Sequence, residues 1–275
     1  RRHLDAAMRE AGIEIRTRQT VASIERAGAG YRVTNEHGER TETDLVMLAT
    51  GRTPNVQGLG LERAGVALGE RGEIRVGADS RTSVRNIYAA GDITGVFALA
   101  SVAAMQGRIA MWHALGDAVT PLDLRRVSSN VFTTPEIATV GITQEQADTG
   151  DVRVASVLLP LASNARSKMQ GFTDGFVKLF CLPTTGIIIG GVVVAPRASE
   201  LIHAVSIAVA EEVSKDDFSQ AFTVYPSMSG YIAEAARRRR HSVTLIAGPV
   251  ALAAPPGVRV VRVETALEML AACKA

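Results

Sequence analysis

The chain has 275 residues, of which 47% are hydrophobic, 21% charged and 4% aromatic, and its formal net charge is +2. This composition is typical of a soluble globular protein with two or three compact units, and it excludes a disordered chain. The small charge and the few aromatic residues argue against nucleic-acid binding, and the apolar runs are too short or too broken by proline for membrane insertion. Cys181 and Cys273 have no metal-ligand or redox spacing, so we expect two ordinary thiols in the reducing cytoplasm.

The first 50 residues predict one helix and several short strands. RRHLDAAMREAG carries apolar residues at Leu4, Met8 and Ile13 and predicts a helix that ends at Gly12. The chain begins inside this helix and without a methionine, which indicates a fragment. IEIRT, TVASIERA and YRVTNE then predict strands with one wet face, and TDLVMLAT predicts a strand buried on both faces of a layered sheet.

Two of the predicted buried strands end on a glycine, LVMLAT at Gly51 and NIYAA at Gly91. A missing side chain lets a large flat ligand approach the backbone closely. The next residue, Asp92, could accept hydrogen bonds from sugar or sugar-alcohol hydroxyls, although a plain Gly-Asp turn is the simpler interpretation. The helix ALASVAAMQGRIAMWHALG starts near Leu99 and would direct its positive end into the same space, which favours a ligand that becomes anionic, such as a reduced flavin.

The second half of the chain has a different texture. TPLDLRR predicts a linker, and from Val127 strands alternate with two helices to about Arg238. Thr143 predicts a helix N-cap. Two histidines lie on predicted helices: His113 is expected to be on the surface or hydrogen-bonded, and His203 to be partly buried and hydrogen-bonded.

Four motifs occur in order and at characteristic separations: ATGRTPN, NIYAAGDITG, ALASVAAMQGRIA and VFTTPEIATVGITQEQA. They resemble the FAD-dependent pyridine nucleotide–disulfide oxidoreductases, the family of dihydrolipoamide dehydrogenase and glutathione reductase, and GFVKLF and VYPSMSG extend the resemblance to about residue 238. The resemblance implies FAD and NAD(P)H as cofactors. It also implies an α/β and α+β fold: the C-terminal part of a flavoprotein with two dinucleotide-binding domains, followed by an α+β dimerisation domain.

The resemblance also implies roles for single residues and boundaries for domains. The position of Asp92 binds the flavin ribitol, residues 99–101 lie along the isoalloxazine, and Gly51 and Arg52 fall where the nicotinamide half meets the flavin half. The implied cofactor-binding residues are Asp92, Gly91, Leu99, Ala100, Ser101, Gly51 and Arg52. The implied domains are 1–48, the second half of the nicotinamide-binding domain; 49–124, the C-terminal part of the FAD-binding and central domain; and 125–238, the interface of a homodimer, with Asn164 and Arg166 on an interface loop.

The sequence departs from this family at the motif His-Pro-x-x-x-Glu, which handles protons for the redox thiols. Tyr225 replaces the histidine and Gly230 replaces the glutamate. A phenol is a poor base at neutral pH, so we assign no catalytic residue and favour reduction of a small-molecule acceptor such as a quinone over disulfide reduction. The family's first Gly-rich loop, Cys-x4-Cys motif and Gly-x-Gly-x-x-Gly lie upstream of Arg1, so we expect weak FAD binding and leave NADH against NADPH open. The alternatives are a non-catalytic dimerisation fragment and a dihydrolipoamide dehydrogenase-type disulfide reductase.

The last segment, about residues 230–275, has a different character. HSVTLIAGPVALAAPPGVRVVRVETALEM predicts a strand, a Gly-Pro loop, a second strand and a helix. It resembles a fragment of the phosphopantothenoylcysteine synthetase domain of coenzyme A biosynthesis, without that family's nucleotide-binding loops. We therefore expect 239–275 to be a short βα tail with no complete active site, and a coenzyme A-pathway ligase fragment is a minor alternative. The basic run 237–240 is interpreted as a solvated helix end.

Overall fold

The structure is a computed structural model, and it describes residues 2–172, 174–237, 244–247, 259–265, 267–269 and 271. The chain divides into two compact units, residues 1–236 and 237–275. Its mixed helices and sheets confirm the predicted α/β and α+β class. In the part of the chain that is described, each helix is too short or too polar to cross a membrane.

The first unit begins with helix α1 (Arg2–Glu10), which ends just before Gly12 as predicted. A three-stranded antiparallel sheet follows, in the order β1 (Val21–Ala27), β2 (Gly30–Asn35) and β3 (Arg40–Thr43). The predictions for β1 and β2 are confirmed. The predicted strand IEIRT is wrong, because residues 13–17 form no strand, and β3 was not predicted.

The predicted buried strand LVMLA is also wrong. Residues 45–49 have no strand structure, and the side chains of Leu45, Met47 and Leu48 are 73%, 83% and 73% exposed. The physical reason is that a strand needs a neighbour for its backbone hydrogen bonds, and no described strand pairs with this segment. The stretch before Gly91 likewise forms only an isolated bridge between Arg81 and Tyr88.

A short helix α2 (Leu61–Ala64) and the long helix α3 (Ala100–Ala114) complete this part of the chain. The α3 prediction is confirmed, with its start one residue after Leu99. Val102, Gln106, Ile109 and Ala110 are buried on one side of α3. This spacing of three or four residues marks the helix face that packs inward.

The rest of the first unit is a five-stranded antiparallel sheet with helices. Its strands, in the spatial order β4-β5-β8-β7-β6, are β4 (Ser129–Val131), β5 (Glu136–Gly141), β6 (Ala155–Pro160), β7 (Phe176–Cys181) and β8 (Ile188–Ala195). Its helices are α4 (Gln144–Thr149), α5 (Ala165–Met169), α6 (Ala198–Ala210), α7 (Lys215–Gln220) and α8 (Met228–Arg237). The prediction of two helices is therefore too low, although α6 and α8 are the two long ones.

The largest hydrophobic core lies between this sheet and its helices. Leu159, Leu179 and Val193 of the sheet are completely buried together with Val205 of α6 and Ile232 of α8. Gly191, the last residue of the sequence IIGG, allows α6 to approach β8 closely. A Cβ added to Gly191 would lie 2.9 Å from Cγ1 of Val205, so the missing side chain at that position brings α6 close to β8.

The second unit contains two parallel strands, β9 (Thr244–Ala247) and β10 (Arg259–Arg262). Residues 267–269 and 271, which follow them, are helical. The predicted strands of the tail are confirmed. The predicted Gly-Pro loop, residues 238–240 of the basic run and Cys273 lie outside the described residues.

Candidate functional site

The Gly91–Asp92 corner has a backbone that only glycine adopts easily. Gly91 has φ 87° and ψ −162°, and Asp92 opens a short 3-10 helix, Asp92–Thr94, that ends at Gly95 with φ 64°. A Cβ on Gly91 would lie 3.3 Å from the Cβ of Ala103 on α3. The missing side chain at Gly91 therefore serves two purposes, because it permits the positive φ and lets the corner rest against the helix.

The corner is tied to α3 by a closed set of buried hydrogen bonds. The Gly91 N–H donates to Oε1 of Gln106 (2.8 Å), and Nε2 of Gln106 donates to Oγ1 of Thr94 (3.2 Å). Thr94 Oγ1 in turn donates to the carbonyl oxygen of Gly91 (2.8 Å). Sequence reasoning missed Gln106 and Thr94. The available signal was a polar residue, Gln106, at the helical spacing of Val102 and Ile109.

The N-terminus of α3 lies one helical turn before Ala103. Its N-cap residue, Leu99, has an extended backbone and offers no side-chain oxygen to the first turn. Ala100 and Ser101 are exposed. The first N–H groups of a helix have no partner within the helix, so this end presents positive partial charge.

Arg52 is brought to Asp92 across 40 positions of sequence. Its Nη1 lies 2.6 Å from Oδ2 of Asp92, in an ion pair whose side chains are 71% and 49% exposed. Such an exposed pair stabilises a fold by about 0–1 kcal/mol. Gly51, the neighbour of Arg52, has φ 141°, and a Cβ there would meet no atom within 4 Å. The structure thus brings the exposed residues Gly51 and Arg52 to the exposed side chain of Asp92, while Gly91 beside it is buried.

An open groove of about 560 Å³ lies along the first half of α3. It is lined by Ser101, Val102, Met105 and Ile109 of the helix and by residues 120–123 and 126–128 of the following segment. Ser101 belongs both to this groove and to the predicted cofactor-binding set. Within the described residues, no cluster of three or more His, Cys, Asp or Glu side chains is suited to hold a metal ion.

The Tyr225 and Gly230 positions lie in a surface segment at the start of α8. The Tyr225 side chain is 86% exposed, and the Gly230 N–H donates to Oγ of Ser227 (2.9 Å). A Cβ at Gly230 would come within 2.9 Å of that same Oγ. Phe222 and Val224, next to Tyr225, are also exposed. The segment is therefore a local apolar surface, and Tyr225 has neither a neighbouring carboxylate at position 230 nor a buried setting.

The predictions for His113 and His203 have opposite outcomes. His113 is hydrogen-bonded as predicted, since the Tyr88 hydroxyl lies 2.7 Å from its Nδ1, and Asp79 lies 3.6 Å from its Nε2. The prediction for His203 is wrong, because its side chain is exposed. The α6 residues that face the sheet are Ile202 and Val205, and position 203 points away from that face.

The other polar side chains of this part of the chain stabilise the fold. Thr143 caps α4 in a capping box with Gln146, as the sequence predicted. Asn164 is buried and caps α5 by accepting from the Ser167 N–H. In the same unit, the N–H and the hydroxyl of Ser199 donate to Glu136, and these hydrogen bonds hold the pKa of the Glu136 carboxyl below its usual value.

Two family profiles match most of the first unit. One is described as pyridine nucleotide-disulphide oxidoreductase and matches residues 1–107, and the other is the dimerisation domain of the same group and matches residues 127–236. Over these ranges the chain belongs to the pyridine nucleotide-disulphide oxidoreductase family. A third profile, the C-terminal domain of DNA/pantothenate metabolism flavoprotein, matches residues 227–275. The predicted second family in the tail is thereby confirmed, and the two C-terminal matches overlap over ten residues.

Similar proteins support the same assignment. A Mycobacterium tuberculosis protein named NAD(P)H dehydrogenase (quinone) is 49% identical over 86% of this chain and 48% of its own length. A dihydrolipoyl dehydrogenase from Staphylococcus aureus is 35% identical over 84% of this chain and 50% of its own length. The crystal structure of LpdA from Mycobacterium tuberculosis, 49% identical, covers 85% of this chain and 51% of that chain with a TM-score of 0.82. The chain therefore spans about half the length of the relatives it matches.

Proposed function

We propose that the protein is part of an FAD-dependent NAD(P)H oxidoreductase that reduces a small-molecule acceptor such as a quinone, and that it acts as a homodimer in the cytoplasm. The observation that carries this proposal is the Gly91–Asp92 corner, held against the N-terminal half of α3. The proposal divides the chain at residues 49, 125 and 239 into the nicotinamide, flavin, interface and tail segments expected from the sequence.

The residues present fit FAD on structural grounds. Gly91, buried against α3, sets the turn that carries Asp92, whose carboxylate is half-exposed, and the first N–H groups of α3 have no side-chain cap. In this arrangement Asp92 would accept hydrogen bonds from the ribitol hydroxyls. Residues 99–101 would direct positive partial charge at the part of the flavin that becomes anionic, and Gly51 would leave room at the nicotinamide side. When bound, the flavin supplies hydride acceptance from the nicotinamide and electron transfer to the acceptor.

The surroundings of Tyr225 support a quinone over a disulfide as the acceptor. Thiol chemistry needs a base near neutral pKa that a neighbouring group orients. Tyr225 is a phenol, a poor base at neutral pH, and glycine at position 230 supplies no carboxylate. The relative that is 49% identical carries the name NAD(P)H dehydrogenase (quinone), which favours the same acceptor class.

Titration of the purified chain with FAD, followed by flavin fluorescence, tests the proposed site. We expect weak but saturable binding, and Asp92→Ala should weaken it at least tenfold because the ribitol hydroxyls lose a charged acceptor, worth about 1.5–3 kcal/mol. Asp5→Ala is the matched control, since it removes another half-exposed aspartate that pairs with an arginine, Arg9, on α1. Equal affinity for the Asp92→Ala variant and the unaltered chain would refute the site.

A second candidate function is dimerisation without catalysis. Phe222, Val224 and Tyr225, together with Phe132, expose apolar surface within the range that matches a dimerisation domain. Exposed apolar surface of this kind favours association with another chain. Size-exclusion chromatography with light scattering should give a dimer with or without FAD, and Phe222→Asp should shift it towards monomer. A monomer at micromolar concentration for the unaltered chain would contradict both the homodimer and this alternative.

A further inference from the structure

The side chain of Gln106 is only 2% exposed, on a helix face whose other inward residues are apolar. A buried amide without hydrogen bonds is costly, so a glutamine at such a position is favourable only where both ends of the amide find partners. Here both ends do. Oε1 accepts from the Gly91 N–H at 2.8 Å, and Nε2 donates to Thr94 Oγ1 at 3.2 Å.

The two partners of Gln106 lie on either side of Asp92. Gly91 precedes it, Thr94 follows it by two residues, and the Thr94 hydroxyl closes the ring by donating to the Gly91 carbonyl. The Thr94 N–H donates to the same carbonyl at 2.9 Å. The backbone that carries the Asp92 carboxylate is therefore fixed both within itself and against α3.

We infer that Gln106 is a positioning residue of the flavin site, an inference that rests on the proposed function. Through Gly91 and Thr94 it fixes the Asp92 carboxylate relative to the N-terminus of α3. These two features would bind different parts of one ligand, the ribitol and the flavin ring. Binding a rigid ring and its side chain together requires a fixed separation between the two contact points, and Gln106 is the side chain that sets it.

The amide of Gln106 is needed in both of its parts. Methionine has a similar length and volume but offers no donor for Thr94 and only a weak acceptor for Gly91. At position 94, valine keeps the shape of threonine without the hydroxyl, and serine keeps the hydroxyl. The pair Thr94→Val and Thr94→Ser therefore separates the hydrogen bond from the packing.

The experiment uses the full chain and two readouts, FAD affinity by fluorescence and amide hydrogen exchange at Gly91 by NMR. We expect Gln106→Met and Thr94→Val to weaken FAD binding about tenfold and to accelerate exchange at Gly91, while Thr94→Ser stays within twofold of the unaltered chain. Val66→Ala is the control, because it removes a buried side chain of the same unit that makes no hydrogen bond in this ring and does not line the groove. It should lower thermal stability at least as much but leave exchange at Gly91 within twofold.

Three results would overturn the inference. Unchanged FAD affinity in Gln106→Met beside faster exchange at Gly91 would make Gln106 a residue of the local fold only. Equal losses of affinity in Gln106→Met and Val66→Ala would assign the effect to general stability. If Gln106→Met does not fold, equal FAD affinities for Thr94→Val and Thr94→Ser would refute the role. Absence of FAD binding by the unaltered chain is a different result, because it refutes the proposed function and the dependent role together.

Discussion

Apolar side chains are buried in the sheet of residues 127–236 but exposed in residues 45–48. In the first region Leu159, Leu179 and Val193 are completely buried, and β8 has a hydrogen-bonded strand on each side. In the second, Leu45 and Met47 are mostly exposed on a backbone that pairs with no described strand. An apolar run therefore becomes a buried strand only where a neighbouring strand pairs with its backbone. Residues 127–236 contain the strands that pair with one another, and residues 45–48 pair with no described strand.

The largest effect that tests this comparison is expected from two leucine substitutions. Leu179→Ala should lower the free energy of unfolding by about 2–5 kcal/mol, since it opens a cavity in the core between the sheet and α6. Leu48→Ala removes the same atoms from an exposed side chain and should change it by less than about 0.5 kcal/mol. Urea denaturation monitored by circular dichroism measures both.

A large loss of stability in Leu48→Ala would contradict this contrast, because it would mean that residues 45–48 bury apolar area in solution. Should Leu179→Ala fail to accumulate, Leu179→Val gives the same test with a smaller expected loss.

The same contrast explains how far the sequence predicts this molecule. The period-two patterns of VASIERA and YRVTN predicted β1 and β2, because adjacent strands joined by a tight turn pair with each other. LVMLA had an equally strong pattern and failed, because a pattern records which faces are apolar and not which strand lies alongside. His203 was misjudged for a related reason, since the apolar character of α6 does not tell which of its sides meets the sheet.

At the Gly91–Asp92 corner, the sequence predicted the two corner residues but not the side chains that hold them in place. Gly91 and Asp92 were found because a glycine after an apolar run and a following carboxylate are visible in one short stretch of sequence. Gln106 and Thr94 were missed, since their importance depends on three hydrogen bonds that join α3 to the corner. The ion pair between Arg52 and Asp92 also depends on a contact across 40 residues, which no local pattern contains.

An intermediate effect on stability is expected from pH, through Glu136 on β5. The N–H and hydroxyl of Ser199 donate to Glu136, at 3.0 and 2.8 Å, and lower the pKa of the Glu136 carboxyl from 4.5. A carboxyl with a lowered pKa in the folded state stabilises the protein above its unfolded pKa, and this contribution is lost as the pH falls through the folded pKa. Above pH 5, Glu136→Gln should cost about 1 kcal/mol, and the difference should shrink as the pH drops below 4.5.

Thermal denaturation at several pH values measures this, with Glu234→Gln on the exposed side of α8 as control. A gap between the unaltered chain and Glu136→Gln that does not depend on pH would mean that the carboxylate charge adds nothing to these hydrogen bonds.

The smallest effect on stability is expected at Arg52, which follows residues 45–48 in the chain and contacts Asp92 of the candidate site. The pair with Asp92 is exposed, so Arg52→Gln should change the free energy of unfolding by less than about 1 kcal/mol. The guanidinium and the ribitol hydroxyls would compete for the same carboxylate, so the substitution should tighten riboflavin binding by up to about fivefold, the equivalent of 1 kcal/mol. Riboflavin is the suitable ligand because it carries the ribitol and the flavin ring without phosphates, whose attraction to Arg52 would oppose the effect in FAD. Fluorescence titration of both ligands separates the two contributions: weaker riboflavin binding by Arg52→Gln would show that the arginine assists the carboxylate rather than competing for it.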